Sequence, residues 1–233
     1  MSKTIIAVGG GEIGRIKVLP DGSSVETPIE TMKIDQFIIQ ATGKEHPHML
    51  FLGTASNDDP DYYELVRNHF ENRLGCASVK PLLLFQSSDS YEEIRQQILS
   101  TDIVYVGGGD TTSMLKIWHE KSVDKILYEA YQNQIVLAGI SAGAICWFDY
   151  YDNMDDIDNI EQLDLVKGLS FLKGFAVPHY NTLTEDEKNR INEKLNQRKI
   201  SGWSLDDCTA LVYQDDNVMP ISCRPDRYLK KIP

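Results

Sequence analysis

Several things are scarce in this sequence, and each scarcity removes a class of protein. Cysteines number four, Cys76, Cys146, Cys208 and Cys223. None forms a C-x-x-C pair, and no histidine stands at zinc-site spacing from them. No disulfide scaffold or metal site is therefore expected, and the thiols read as free and buried in a reducing cytosol. No apolar run approaches the roughly 18 residues of a membrane span. The apolar stretch after Lys3 is too short for a signal peptide and runs straight into glycines, so a cytoplasmic location is expected. Positive charge is also in deficit, with 23 Lys and Arg against 35 Asp and Glu and a net charge of −12. That balance argues against a nucleic-acid or anionic-membrane partner, which needs clustered cations. Internal repeats and low-complexity linkers are absent. At 233 residues the chain is read as a single domain, 1–233, working as a monomer or homodimer.

What is present is an alternation of apolar and amphipathic runs. Strand candidates are 4–8 "TIIAV", 48–52 "HMLFL", 79–85 "VKPLLLF", 102–106 "DIVYV", 134–138 "QIVLA" and 174–177 "GFAV". They are short, largely continuous and often β-branched, as strands buried on both faces are. Helix starts lie between them. "TPIE" offers Thr27 as N-cap with Pro28 in the first turn, and "DPDYYELV" offers Asp59 and Pro60. "SYEE" at 90–93 and "TEDE" at 184–187 read as capping boxes. After residue 200 the pattern changes to a hairpin, "TALVYQDDNVMPISC", turning at 215–217. The fold class expected is α/β, a doubly wound, mostly parallel sheet flanked by helices, with a C-terminal β-hairpin.

In such sheets ligands collect at the carboxyl ends of strands. The first strand ends in Gly9, Gly11 and Gly14, which fit the dinucleotide fingerprint G-x-G-x-x-G. The fingerprint requires a helix directly after its glycines. "RIKVLPDGSSVETP" forbids one through Pro20, the Asp21-Gly22 turn and two serines. No nucleotide cofactor is expected, and Gly9–Gly11 reads as a turn packed near Gly109 and Ser141.

The strand at 134–138 runs into Gly139-Ile140-Ser141-Ala142-Gly143, a G-x-S-x-G in the strand–turn–helix setting of a nucleophile elbow. A serine nucleophile needs a base, and the base an orienting acid. His46 and His48 flank a strand start and read as surface. His69 and His119 lie on amphipathic helices, where solvated or capping histidines are usual. His179 follows "GFAVP", so it lands at the sheet edge carrying Ser141, with Pro178 fixing the backbone before it. For the acid, "SGWSLDDCTALV" offers Asp206 and Asp207. The acidic loop "DNMDDID", which is not an EF-hand, offers more. Oxyanion donors are expected from the Ala142 N–H and from Gly109, in the glycine loop of "DIVYVGGGDTTSML". A phosphate cradle is the rival reading of that loop, weakened by the missing P-loop lysine.

Taken together, "VGGGDTTSML", "GISAGAICWF", "VPHYNT" and "LDDCTALV" resemble the serine peptidase family of dipeptidase E (the aspartyl dipeptidase) and cyanophycinase. The matches run from about 102 to 213. The resemblance implies a fold like class I glutamine amidotransferases, with serine in place of their cysteine and no cofactor. It implies Ser141 as nucleophile, His179 as base, and Gly109 and Ala142 as oxyanion donors. The family's third residue, usually Glu, falls on Asp207; Asp206 and Asp156 are the alternatives. The implied activity is hydrolysis of small peptides, Asp-Xaa dipeptides among them. The Arg-rich specificity segment of dipeptidase E is here "TLTEDEKNRINEKL", which keeps Arg190 and two lysines. Asp110, Asp156 and Arg190 are the substrate-binding candidates. The other reading is a non-catalytic or differently specific relative that binds a peptide or metabolite.

Overall fold

A computed structural model of the chain describes residues 2–152, 165–215 and 217–233. Along the chain run β1 (Thr4–Val8), β2 (Ile16–Val18), β3 (Ser24–Glu26), α1 (Met32–Gln40), β4 (His48–Leu52), α2 (Pro60–Arg67), β5 (Ser78–Pro81), α3 (Tyr91–Leu99), β6 (Ile103–Val106), α4 (Thr111–Glu120), α5 (Val123–Gln132) and β7 (Val136–Ile140). Then follow α6 (Ala142–Ile145), β8 (Phe148–Asp152), β9 (Leu165–Lys167), β10 (Leu172–Val177), α7 (Glu185–Arg198), β11 (Gly202–Leu205), β12 (Thr209–Gln214), β13 (Asn217–Ser222) and β14 (Leu229–Ile232).

The main sheet has seven strands in the order β13-β12-β1-β7-β6-β4-β5. From β1 to β5 every neighbour is parallel, and the β12–β13 hairpin joins antiparallel along β1. The fold is therefore α/β, with a mostly parallel central sheet flanked by helices. Strand alternation divides its core. Ile5 and Ala7 face one side, with Met114 and Trp118 of α4 and Ile126 and Leu127 of α5. Ile6 and Val8 face the other, with Ile34 and Ile38 of α1 and Val66 of α2. A buried strand in such a sheet has no polar face, which is why β1, β6 and β7 read as continuous apolar runs.

A second sheet of five strands, in the order β14-β11-β10-β8-β9, corrects the one-sheet expectation for residues 174–177. β10 pairs in parallel with β8 and β11, not with the main sheet. One side of this sheet shares the main core through Phe148, Leu172, Ala176 and Leu205. On the other, Phe175, Val177 and Ile232 pack with Ile191 and Leu195 of α7.

Local signals met mixed outcomes. Asp59 caps α2 through the Asp61 and Tyr62 N–H groups, and Ser90 and Thr184 form full capping boxes with Glu93 and Glu187. Thr27 caps no helix. Its N–H donates to the Arg15 carbonyl (2.8 Å) and its hydroxyl accepts from the Arg15 N–H (2.8 Å). It thereby closes the exposed β2–β3 arm, and α1 begins after Thr31. The run 79–85 leaves the ladder after Pro81, where the Asp58 carboxylate takes the Leu84 and Phe85 N–H groups (both 2.6 Å). His69 is not solvated: it is buried against Asp35, Nε2 to Oδ2 2.8 Å. Cys76, Cys146 and Cys208 are buried free thiols, and Cys223 is half-buried. Among the described residues, no helix is long and apolar enough to cross a membrane.

Candidate active site

The turn after β7 holds Ser141 at φ 56° and ψ −116°, a conformation that L side chains rarely adopt. Such a residue stores roughly 1–3 kcal/mol, tolerated only where its surroundings over-determine it. Here they do. A Cβ on Gly139 would lie 2.1 Å from the Gly143 carbonyl oxygen, and one on Gly143 would lie 2.3 Å from that of Val106. The Ser141 N–H donates to the Val8 carbonyl (3.0 Å), and its own carbonyl accepts from Ala144 and Ile145 (2.9 and 3.1 Å). The helix that follows is a single turn, Ala142–Ile145, so the local amide of Ala142 counts for more than any helix dipole.

The glycine loop after β6 lies alongside. A Cβ on Gly108 would sit 3.3 Å from the Ser141 Cβ. Gly109, at φ 139°, admits no side chain, because a Cβ would meet the Ala55 carbonyl oxygen at 2.1 Å. Neither the Gly109 nor the Ala142 N–H has a backbone acceptor among the described residues. Asp110 is otherwise engaged. Its carboxylate caps α4, accepting from the Ser113 N–H (3.0 Å) and the Ser113 hydroxyl.

His179 follows β10 of the second sheet rather than a strand of the main one, and the two sheets meet at Ser141. Its Nε2 lies 2.9 Å from the Ser141 Oγ, and its Nδ1 lies 2.6 Å from the Asp207 Oδ1. A carboxylate on Nδ1 selects the tautomer protonated there, so Nε2 accepts the serine O–H. Asp207 thus reaches the imidazole despite being one methylene shorter than Glu. Asn181 fixes it in place: the Asp207 N–H donates to the Asn181 Oδ1 (2.6 Å), and the Asn181 Nδ2 donates to the Asp207 Oδ2 (3.2 Å). Burial pushes the Asp207 carboxyl up. The bond to and charge of His179, the Asn181 bond and the nearby Arg227 outweigh it, leaving the carboxyl below its ordinary value.

The other acids are elsewhere. Asp206 turns away from His179, its Oδ2 accepting from the Tyr228 N–H (2.9 Å) ahead of β14. Asp156 lies outside the described residues. Arg190 is exposed on α7, with no hydrogen bond to this cluster among the described residues.

The opening glycines sit beneath the histidine. The Gly9 carbonyl accepts from the His179 N–H (3.2 Å), and that of Gly10 accepts from the Cys208 N–H (2.8 Å). A Cβ on Gly10 would lie 2.0 Å from the Asp207 Oδ1 and 2.5 Å from the His179 ring. Their neighbours are thus His179 and Asp207 more than Gly109. Sequence reasoning did not assign Asn181, although it lies in the quoted "VPHYNT"; its position two residues after the histidine was the available signal.

A strained serine at the carboxyl end of a parallel sheet, bonded to a histidine that is bonded to a carboxylate, is the chemistry of a serine hydrolase. The sequence profile of Peptidase family S51 matches residues 18–221. YgaJ, an uncharacterised peptidase of Bacillus subtilis strain 168, is 35% identical over 217 residues, spanning 93% of this chain and 85% of its own length. Two solved structures share the fold. One, from Listeria monocytogenes EGD-e and assigned as a peptidase E, has a TM-score of 0.65 at 18% identity, over 95% of this chain and 99% of that one. A peptidase from an acI-B1 Actinobacterium has a TM-score of 0.67 at 19% identity, over 100% of this chain and 97% of its own. The chain belongs to Peptidase family S51 and is a serine peptidase.

Proposed function

We propose that the protein hydrolyses small peptides through an acyl-enzyme on Ser141, with His179 as general base and then acid and Asp207 orienting it. The observation that carries this reading is the continuous bond from Ser141 through His179 to Asp207, at 2.9 and 2.6 Å. His179 takes the Ser141 proton as Oγ attacks the scissile carbonyl. The N–H groups of Gly109 and Ala142 hold the resulting oxyanion. His179 then protonates the leaving amine, and water, deprotonated by the same imidazole, releases the acyl group.

Asp-Xaa dipeptides are the substrates proposed first, following the family resemblance, and neutral dipeptides are the comparison, because only Arg190 and two lysines remain in the segment after the histidine. The test is a panel of Asp-Xaa and neutral Xaa-Xaa dipeptides, read with wild type and Ser141→Ala. Turnover of at least one class by wild type, lost in Ser141→Ala with the thermal transition unchanged, supports the reading. Turnover that survives Ser141→Ala contradicts it.

A further inference from the structure

The geometry points to Tyr62 as a positioning residue for the oxyanion, acting through the glycine loop rather than by touching the substrate. This rests on the reading of Ser141 and Gly109 above. Of the four amides in the loop after β6, at residues 107–110, three are bonded within the fold. The Gly107 N–H donates to the Leu52 carbonyl (3.0 Å). The Gly108 N–H donates to the Tyr62 hydroxyl (3.1 Å), across a separation of 46 residues. The Asp110 N–H donates to the Ala55 carbonyl (2.8 Å).

Peptide units are planar, so each bond fixes a plane rather than an atom. The Tyr62 bond fixes the 107–108 plane and the Ala55 bond fixes the 109–110 plane. Between them lies the 108–109 plane, which carries the Gly109 N–H. It is clamped on both sides, and its own N–H is left for a developing oxyanion. Freed on one side, a run of three glycines has many orientations available to it. Preorganisation of the donor is what makes an oxyanion hole effective.

Tyr62 is itself held. Its ring meets Phe51 edge-on, centroids 5.2 Å apart at 73°, and the Arg15 guanidinium lies over it at 5.8 Å. A Cβ on Gly107 would stand 2.8 Å from the Tyr62 Cε1, so the loop can lie against the ring only as glycine. Burial raises the phenol further above its ordinary value, so the hydroxyl stays neutral at any working pH. The neighbouring Tyr63 provides an internal control. Its hydroxyl also bonds a backbone group, the Val79 carbonyl (3.0 Å), but on β5, away from the glycine loop.

The experiment compares Tyr62→Phe and Tyr63→Phe, each of which keeps its ring packing. kcat and KM are measured on the best dipeptide of the panel, with kcat taken per fluorophosphonate-reactive serine so that only folded sites count. A peptide aldehyde of the same sequence is then titrated: Ser141 Oγ adds to its carbonyl, the serine proton passes to His179, and the hemiacetal oxyanion occupies the hole. Tyr62→Phe is expected to lower kcat by about tenfold, with KM within twofold, and to weaken the aldehyde by a similar factor. Tyr63→Phe is expected to change neither. Wild-type kcat and aldehyde affinity in Tyr62→Phe, or equal losses in both variants, overturn the inference while leaving the Ser141 assignment intact. Turnover in Ser141→Ala overturns that assignment and the inference with it.

Discussion

The two sheets divide the site between them, and they differ in kind. The seven-stranded sheet is parallel through its centre, buried on both faces, and supplies the strained serine and the glycine loops. The five-stranded sheet is partly exposed, with charged residues in most of its strands, and supplies the histidine. Ser141 and Asp207 both lie where the chain passes between the two. Ser141 leads from β7 through one helical turn to β8, and Asp207 lies in the three residues joining β11 to β12. A rigid sheet can store the strain of the nucleophile turn, and a crossing can place the acid against a histidine of the other sheet. Ser141, His179 and Asp207 are therefore joined by side-chain bonds rather than by a shared strand ladder.

Substitutions on the two sides of this junction should behave differently. The largest effect is expected on the crossing itself. Asp207→Asn leaves the packing intact but favours the wrong imidazole tautomer, and should lower kcat by about 10³–10⁴-fold with little change in thermal stability; steady-state kinetics beside a melting curve checks this. Gly10→Ala comes next. Its Cβ cannot coexist with the Asp207 Oδ1 at 2.0 Å or the His179 ring at 2.5 Å, so that pair must shift relative to Ser141. A displacement of that size should cost about 10²-fold in kcat/KM, whereas Gly43→Ala, which meets no atom within 4 Å but sits at φ 67°, should lower stability and leave kcat/KM unchanged.

Asn181→Ala should cost less, about tenfold in kcat. It also carries a pH signature. Asn181 donates to the charged form of Asp207 and helps depress its pKa. Without that bond the Asp207 pKa rises, and any acid limb of the kcat profile that reports this carboxyl should move to higher pH. The smallest effect falls on stability alone. Asp152, at the end of β8, is buried, and burial, opposed by the charge of Lys194, pushes its carboxyl up to about 6. The folded state then binds more protons than the unfolded chain between about pH 4 and 6, so this group lowers stability as pH rises through that window. Asp152→Asn should raise Tm by a few degrees at pH 8, a gain that vanishes by about pH 4; calorimetry at the two pH values checks it.

The same contrast explains how much could be read from the sequence. Strands β1, β4, β6 and β7 are apolar runs because both faces are covered, and their carboxyl ends led directly to Gly109 and Ser141. The strands "FDYYD", "LVK" and "LKKI" carry no such signal, because each is partly exposed and gains its partners only in the folded chain. The place of His179 after an apolar strand points to it, but no local pattern shows that β10 pairs with β8 and β11 rather than with the main sheet. Thr27 has the residue type and neighbours of an N-cap, yet a long-range pairing with Arg15 took it. Asn181 and Tyr62 bond to residues 26 and 46 positions away, and no local pattern encodes such pairs.

The central claim is that the two sheets together make one activated serine. A fluorophosphonate reacts rapidly only with such a serine, and mass spectrometry of the digested adduct identifies the residue modified. A single label is expected on Ser141, absent in Ser141→Ala and slowed by at least 10²-fold in His179→Ala, with all three proteins folded. A label on another residue, no label on the wild type, or an unchanged rate in His179→Ala would contradict it.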